Sequence, residues 1–154
     1  MSATTRSPRR GEVDGRDYHF VTREGFERTR DAGGFLESFE VFGDLKGTPR
    51  GPIEERLTEG RDVVLELDVQ GAMAVRAAFP SALLVFVRPP SRAVQRQRLQ
   101  DRDGDADPAA LERRLAEAER EEALAPRFDA VVVNDDLDRA VEEVAAILEA
   151  RRRR

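Results

Sequence analysis

The 154-residue sequence contains no cysteine, one histidine and one lysine, and each scarcity excludes a class of chemistry. Without cysteine there is no disulfide, no zinc–thiolate site and no thiol nucleophile. The single histidine, His19, rules out a multi-histidine metal site, and a Ser-His-Asp triad could rest on no other residue. The single lysine, Lys46, lies between Leu45 and Gly47, so the phosphate-binding sequence Gly-x-x-x-x-Gly-Lys-Ser/Thr does not occur in these residues.

Long hydrophobic runs are also missing. The longest clearly apolar run, residues 82–87, is far too short to span a membrane, and the first ten residues lack the apolar core of a signal peptide. An apolar content of 40% with 37% charged residues is typical of a soluble domain with a heavily charged surface. We therefore expect one cytoplasmic domain with no membrane partner; the oligomeric state stays open.

Positive charge is concentrated at the two ends of an acidic chain whose formal net charge is −5. Arginines cluster in residues 1–10 and in residues 151–154, whereas residues 101–150 are strongly acidic. A nucleic-acid surface would need a broad basic face, so we expect no nucleic-acid partner. The basic beginning of the chain indicates a local anion site instead, and the arginine tail is expected to be solvated.

The hydrophobic pattern predicts an α/β fold. Three short apolar strands, at residues 63–67, 83–87 and 130–133, alternate with helices, which is typical of a parallel sheet covered by helices on both faces. The remaining pattern predicts a loop over 1–17, strands at 18–21 (containing His19) and 35–42, a turn at 43–47, and helices at 23–32, 48–59, 70–79, from Ser91 to 102, 109–124 and 136–150.

Two features suggest a binding site before any resemblance is considered. Arg6 and Arg9 lie among hydroxyl side chains, a combination that suits a phosphate, although an exposed, disordered N-terminus has the same composition. Asp68 and Asn134 each follow an apolar strand, and parallel sheets bind ligands beyond the carboxyl ends of their strands.

The motifs of the chain, read in order, resemble the guanylate kinase family. Those enzymes are P-loop nucleoside monophosphate kinases that move the terminal phosphoryl group of ATP to GMP. The resemblance covers nearly the whole chain and rests on Ser-x-Thr-Thr-Arg-x-Pro-Arg-x-Gly-Glu-x-Asp-Gly-x-Asp-Tyr-x-Phe-Val from Ser2, Gly-Phe-Leu-Glu from Gly34, Lys-Gly-Thr-Pro from Lys46, Leu-Asp-Val-Gln-Gly-Ala from Leu67, Pro-Pro-Ser from Pro89, Glu-Arg-Arg-Leu from Glu112 and Val-Asn-Asp-Asp-Leu from Val133.

The resemblance implies how the chain is organised. It predicts a single domain over 1–154 with a P-loop kinase-like parallel sheet, a small GMP-binding β/α subdomain and a helical lid. The implied divisions are a phosphate-binding loop at 1–17, the GMP-binding subdomain at 18–60, the core at 61–100 and 125–150, the lid at 101–124 and the arginine tail at 151–154.

The resemblance also assigns roles to residues on the GMP side. Ser2, Arg6, Arg9 and Tyr18 would hold the GMP phosphate, while Glu37 and Thr48 would read guanine. Without the resemblance, Glu37 would be taken for a surface strand residue. Asp68 would contact the base or a metal-linked water, and its alternative role is that of an acid at a helix N-terminus.

On the ATP side, the resemblance implies that Arg102 and Arg114 are lid residues that neutralise the transferring phosphate and that Asn134 contacts adenine. Both arginines could instead be solvated helix residues, and Asn134 could belong to a helix cap with Asp135 and Asp136. ATP is the implied co-substrate and Mg²⁺ the implied ion, with no metal ligand assigned to this chain.

Three departures from the family pattern are visible. Lys46 replaces the aromatic hydroxyl that many members place against the GMP phosphate, and the lid from Arg102 to Arg114 is one residue longer than usual. In the family, a strand, the P-loop and its helix come before the position that corresponds to Ser2. In this sequence only Met1 precedes Ser2, so we expect a truncated gene model that lacks the first strand and helix.

The third departure determines the function predicted for the chain. We predict a guanylate kinase of purine nucleotide metabolism, inactive as the 154-residue chain. The alternatives are a non-catalytic module that binds GMP or a phosphopeptide, and a non-functional remnant.

Overall fold

The computed structural model describes residues 1–41, 43–103 and 107–153, and the chain divides into two compact units, Met1–Ala82 and Leu83–Arg154. Both units combine helices with strands, so the predicted mixed α/β class is confirmed. Within the described ranges, every helix is too short or too polar to cross a bilayer.

The elements of the first unit are β1 Ala3–Thr4, β2 His19–Phe20, α1 Arg23–Asp31, β3 Phe35–Val41, β4 Asp44–Pro49, α2 Gly51–Thr58 and α3 Val69–Ala78. Its strands form a four-stranded mixed sheet with the order β2-β1-β4-β3. The inner strand β1 pairs in parallel with β2 and antiparallel with β4, and β4 pairs antiparallel with β3.

A small aromatic core lies under this sheet. Phe26 of α1 stacks on Phe35 of β3 with ring centroids 4.3 Å apart, and Ala3 and Leu45 complete the buried cluster. Gly47 faces these two rings so closely that a Cβ atom there would lie 3.0 Å from each. A side chain at position 47 would therefore force the two phenylalanines apart.

Local signals placed α1 correctly but misplaced its neighbours. Thr22 caps α1 as predicted, since its hydroxyl accepts the Gly25 N–H at 3.1 Å. The loop predicted over 1–17 contains β1. Of the turn predicted over 43–47, Gly43 does form a turn, but residues 44–47 belong to β4, and α2 begins at Gly51 rather than at Thr48. In each case backbone pairing with a strand distant in sequence outweighed the local turn and cap residues.

The strand predicted over 63–67 is wrong. Val63, Leu65 and Leu67 do alternate inward and pack on a second cluster of Leu36, Ile53 and Val75, while Val64 is 80% exposed. In the part of the chain that the structure describes, however, residues 61–68 form no strand. Alternating burial predicts which side chains point inward, whereas a strand also requires a hydrogen-bonded neighbour.

The second unit contains the parallel pair β5 (Val85–Arg88) and β6 (Ala130–Val133), as predicted for these two apolar runs. Its helices are α4 (Arg92–Asp103), α5 (Pro108–Glu122) and α6 (Leu137–Arg152), with a short 3₁₀ helix at Ala125–Arg127. Asp136 caps α6 by accepting the Arg139 N–H at 3.0 Å. On α6, the apolar side chains of Leu137 and Val141 are mostly exposed.

Candidate functional site

A cavity of about 410 Å³ lies in the first unit, within the size range of small-molecule sites. Five of the predicted site residues line it, and they come from four different parts of the chain. Its wall is formed by Met1, Ser2, Asp17, Tyr18, Lys46, Thr48, Val64, Leu65, Glu66, Leu67 and Asp68. The structure therefore brings Ser2, Tyr18, Lys46, Thr48 and Asp68 together around one space.

Glu37 is joined to this cavity through Thr48. The two residues are paired across β3 and β4, and the Thr48 hydroxyl donates a short hydrogen bond to a Glu37 carboxylate oxygen. A register shift between Phe35 and Glu37, the signature of a bulge, precedes this pair. Because bulges re-aim side chains, the bulge accounts for a carboxylate that turns from the surface role expected for its strand towards Thr48.

The surroundings of Glu37 raise the pKa of its carboxyl group. Partial burial raises the pKa of the Glu37 carboxyl above its ordinary value, and the nearby Asp68 carboxylate raises it further. The Thr48 hydrogen bond and the Lys46 charge oppose this shift without cancelling it. Glu37 is thus a carboxyl held away from water, which is the setting in which a polar pairing discriminates strongly between ligands.

Asp68 both caps a helix and lines the cavity. Its Oδ1 accepts the Gly71 N–H at 2.7 Å and so caps α3, which is the structural role left open for it by the sequence. Gly71 packs against Leu67, where a Cβ would come within 3.2 Å. The cap fixes the carboxylate beside the cavity, so the capping role supports a binding role and does not exclude it.

The N-terminal loop is anchored by hydroxyls before it reaches the predicted phosphate-binding arginines. Thr4 donates its hydroxyl to the Leu45 carbonyl at 3.1 Å, and Thr5 accepts the Leu45 N–H at 2.9 Å. Arg6 then donates its backbone N–H to the Thr4 hydroxyl at 3.2 Å. These hydrogen bonds at the end of β1 therefore fix the position of the Arg6 backbone.

Two cations flank the ring of Tyr18. The Arg6 guanidinium carbon lies 5.7 Å from the ring centroid and the Lys46 Nζ lies 5.6 Å from it, both within cation–π range. Arg6 also binds the Glu12 carboxylate, which forms a salt bridge at 2.9 Å. Arg6 and Arg9 both lie outside the residues that line the cavity, and the Arg9 side chain is exposed.

The predicted ATP-side residues belong to the second unit, which is described separately. Arg114 is half-buried on α5, and Arg102 lies in the last turn of α4 with a side chain outside the described residues. The Asn134 backbone follows β6, with its N–H bound to the Arg88 carbonyl at 2.8 Å and its carbonyl accepting from Arg98 at 2.9 Å. The helix cap suggested for this segment is formed by Asp136.

Sequence reasoning missed three carboxylates near the site. Asp17 and Glu66 line the cavity, and Glu12 binds Arg6. Glu12 and Asp17 both lie in the Gly-Glu-x-Asp-Gly-x-Asp-Tyr part of the first motif, so their place in that motif was a usable signal. Glu66 offered none, because its position follows from the extended path of residues 61–68.

The described residues offer no cluster of metal-ligating side chains. Within residues 1–41, 43–103 and 107–153, no group of three or more histidine, cysteine, aspartate or glutamate residues is placed to hold a metal ion. We therefore assign no residue to Mg²⁺. The polar side chains that line the cavity are three hydroxyls, one cation and three carboxylates: Ser2, Tyr18, Thr48, Lys46, Asp17, Glu66 and Asp68.

Comparison with known proteins identifies the family of this chain. A guanylate kinase family model matches residues 1–151. The chain is 54% identical to a guanylate kinase of Gloeobacter violaceus over 148 residues (96% of this chain, 72% of the relative), and 51% identical to one of Thermus thermophilus over 154 residues (100% and 70%). A crystal structure of guanylate kinase from Anaplasma phagocytophilum matches with a TM-score of 0.81 at 33% identity, covering 97% of this chain and 72% of that one.

Proposed function

The chain belongs to the guanylate kinase family, and we propose that its cavity binds GMP as the acceptor of the terminal phosphoryl group of ATP. The observation that carries this proposal is the convergence of five motif residues on one cavity in the first unit. We divide the site into a base end, formed by Glu37, Thr48 and Asp68, and a phosphate end, formed by Ser2, Arg6, Arg9, Tyr18 and Lys46.

The base end suits guanine. The Watson–Crick edge of guanine presents a ring N–H and an exocyclic amine side by side, and an ionised carboxylate accepts both. Adenine presents an acceptor at the same ring position, so the Glu37 carboxylate would face a lone pair. A half-buried polar group left without its partner penalises the wrong ligand strongly, and this gives the preference for GMP over AMP.

The phosphate end suits a dianion. Arg6 and Arg9 supply guanidinium forks, Lys46 supplies a point charge, and Ser2 and Tyr18 supply hydroxyl donors. Lys46 takes the place of an aromatic hydroxyl in this arrangement. The Lys46 charge, which lies beside the Tyr18 ring, attracts a phosphate over a longer distance than a neutral hydroxyl can.

Phosphoryl transfer in this family proceeds in line without a covalent intermediate, so the protein contributes position and positive charge. We assign charge neutralisation at the transferring group to Arg102 and Arg114, and adenine contact to Asn134. A P-loop sequence is absent from the 154 residues, so we expect the 154-residue chain to bind GMP without turning it over. We place the reaction in purine nucleotide metabolism in the cytoplasm.

The absence of a P-loop sequence favours one second candidate, a module that binds a ligand without transferring phosphate. Its ligand would be GMP itself or a phosphopeptide. The Glu37–Thr48 pair argues for GMP, because a phosphopeptide has no guanine edge to be read.

Calorimetric titration of the 154-residue chain tests the proposal. We expect GMP to bind at least about 100-fold more tightly than AMP, with a phosphoserine peptide showing no binding. A coupled assay for ADP formation from ATP and GMP runs in parallel, and turnover there would refute the expected inactivity. Equal affinity for GMP and AMP, or binding of the peptide in place of GMP, would overturn the proposed function.

A further inference from the structure

Glu12 forms hydrogen bonds with both arginines of the phosphate end. Its two carboxylate oxygens each accept from Arg6 Nη2 at 2.9 Å, and its Oε2 also accepts the Arg9 backbone N–H at 2.6 Å. The Glu12 backbone N–H in turn donates to the Arg9 carbonyl at 3.0 Å. One carboxylate thus connects the two arginines that the proposed function places on the GMP phosphate.

Arg6 has further contacts besides its bonds to Glu12. Its Nη1 donates to the Ser7 carbonyl at 2.7 Å, and its guanidinium lies 5.7 Å from the Tyr18 ring centroid and 5.8 Å from that of Phe20. The side chain is 24% exposed, unusually little for an arginine near an N-terminus. A guanidinium carries five N–H donors, so these contacts still leave donors for a phosphate.

Judged by charge alone, a carboxylate next to these arginines would weaken phosphate binding. The Arg6 hydrogen bond holds the pKa of Glu12 below its ordinary value, so Glu12 is an anion at neutral pH and would repel a phosphate. Arg9 and Lys46 provide the remaining positive charge. The presence of Glu12 is therefore best explained by geometry, since a fixed guanidinium need not be ordered again when the ligand binds.

We propose that Glu12 is a positioning residue for the phosphate end: it fixes the Arg6 guanidinium and the Arg9 backbone in the conformation that receives the GMP phosphate. The inference rests on the proposed function. It makes a prediction opposite to that of simple electrostatics, because removing this negative charge weakens anion binding when position dominates and strengthens it when charge dominates.

The test measures GMP and guanosine affinities of the 154-residue chain and its variants by calorimetry. We expect Glu12→Gln to weaken GMP binding about tenfold, because a released arginine side chain must be reordered on binding, and to leave guanosine affinity unchanged. Glu24→Gln is the matched control, since Glu24 pairs with Arg28 on the exposed face of α1, and it should change neither affinity.

A double-mutant comparison tests whether Glu12 acts through Arg6. In an Arg6→Ala background, Glu12→Gln should change GMP affinity by clearly less than in the parent, because only the hydrogen bond to the Arg9 backbone is then left to lose. Circular dichroism melting checks that each variant folds. If Glu12→Gln does not fold, Glu12→Asp serves instead: its shorter side chain keeps the charge but cannot reach both Arg6 and the Arg9 N–H, so it too should weaken GMP binding.

The outcomes separate the two proposals. A folded Glu12→Gln variant that binds GMP as tightly as the parent, or more tightly, overturns the positioning role and leaves the proposed function standing. Equal losses of GMP and guanosine affinity also overturn it, since they indicate general loosening of the site. Failure of the parent chain to bind GMP overturns the proposed function and this inference with it.

Discussion

The base end and the phosphate end of the cavity hold their key carboxylates in opposite ways. Glu37 is half-buried on β3 against a neutral hydroxyl, and its pKa is raised mainly by burial. Glu12 lies in an exposed loop against a guanidinium, and its pKa is lowered mainly by that hydrogen bond. A carboxyl that recognises a neutral base gains selectivity from burial. A carboxylate that orients a cation instead holds it more firmly when it is ionised and fixed in position.

This contrast follows from what each end would bind. Hydrogen-bond patterns discriminate only where water cannot replace the missing partner, so a base reader belongs in the sheet. A phosphate is recognised by charge, which acts over longer distances and tolerates solvent.

The largest effect is expected from Glu37→Gln. The carboxamide offers guanine one acceptor and turns a donor towards another donor, so GMP affinity should fall roughly 100-fold while AMP affinity changes little. Calorimetry with both nucleotides measures the loss of preference. Glu40→Gln is the control on the same strand, since Glu40 is exposed and pairs with Arg23. An unchanged GMP preference in Glu37→Gln would remove Glu37 from the base end.

Arg6→Ala should produce the next largest effect. Loss of a charge-assisted hydrogen bond to the phosphate is expected to weaken GMP binding about 30-fold and to leave guanosine binding intact. The matched control is Arg28→Ala, which removes an arginine with an equivalent salt bridge on α1. If guanosine affinity fell as much as GMP affinity, Arg6 would be supporting the fold and not the phosphate.

The pH dependence of binding tests the raised pKa of Glu37. Guanine needs the ionised carboxylate, so GMP affinity should fall as the pH is lowered through this raised pKa, at a higher pH than an ordinary glutamate would require. Thr48→Val removes the hydrogen bond that lowers the pKa, so the midpoint should move to still higher pH. Titrations across pH measure the midpoint, and a midpoint moved downward would contradict the assignment.

The same group has a defined effect on stability. Because the folded state binds the Glu37 proton more tightly than the unfolded chain does, the contribution of Glu37 to the free energy of unfolding falls as pH rises from the unfolded pKa through the folded one. Urea unfolding of the parent and of Glu37→Gln across this range should show the dependence in the parent alone.

The smallest effect is expected from Lys46→Met. Loss of a solvent-accessible point charge should weaken GMP binding about threefold and flatten its dependence on salt, with guanosine unaffected. Calorimetry at several salt concentrations measures both changes. Arg50→Met, which removes an exposed charge paired with Glu54, is the control and should leave the salt dependence unaltered.

Much of the site could be predicted because its residues lie in recognisable motifs. Ser2, Tyr18, Lys46, Thr48 and Asp68 come from three separate motifs, and all five line the cavity. Pairing between distant strands could not be predicted. The two-residue strand β1 has no periodicity to detect, and it is buried because β2 and β4 lie on either side of it. The prediction for residues 63–67 failed for the opposite reason. Their side chains alternate as in a strand, but in the described chain they form no strand because no neighbouring strand pairs with them.

The sequence by itself determined the family, the motif residues and the helix starts at Thr22 and Asp68. A helix cap is a bond between a side chain and a backbone N–H three residues away, so its partners are already neighbours before the chain folds. Only the tertiary structure decided the state of the two carboxylates. Glu37 is shifted by burial and by Thr48 across the sheet, and Glu12 by Arg6 across a folded loop. Desolvation and charge pairing depend on distances in space, and those distances exist only once the chain has folded.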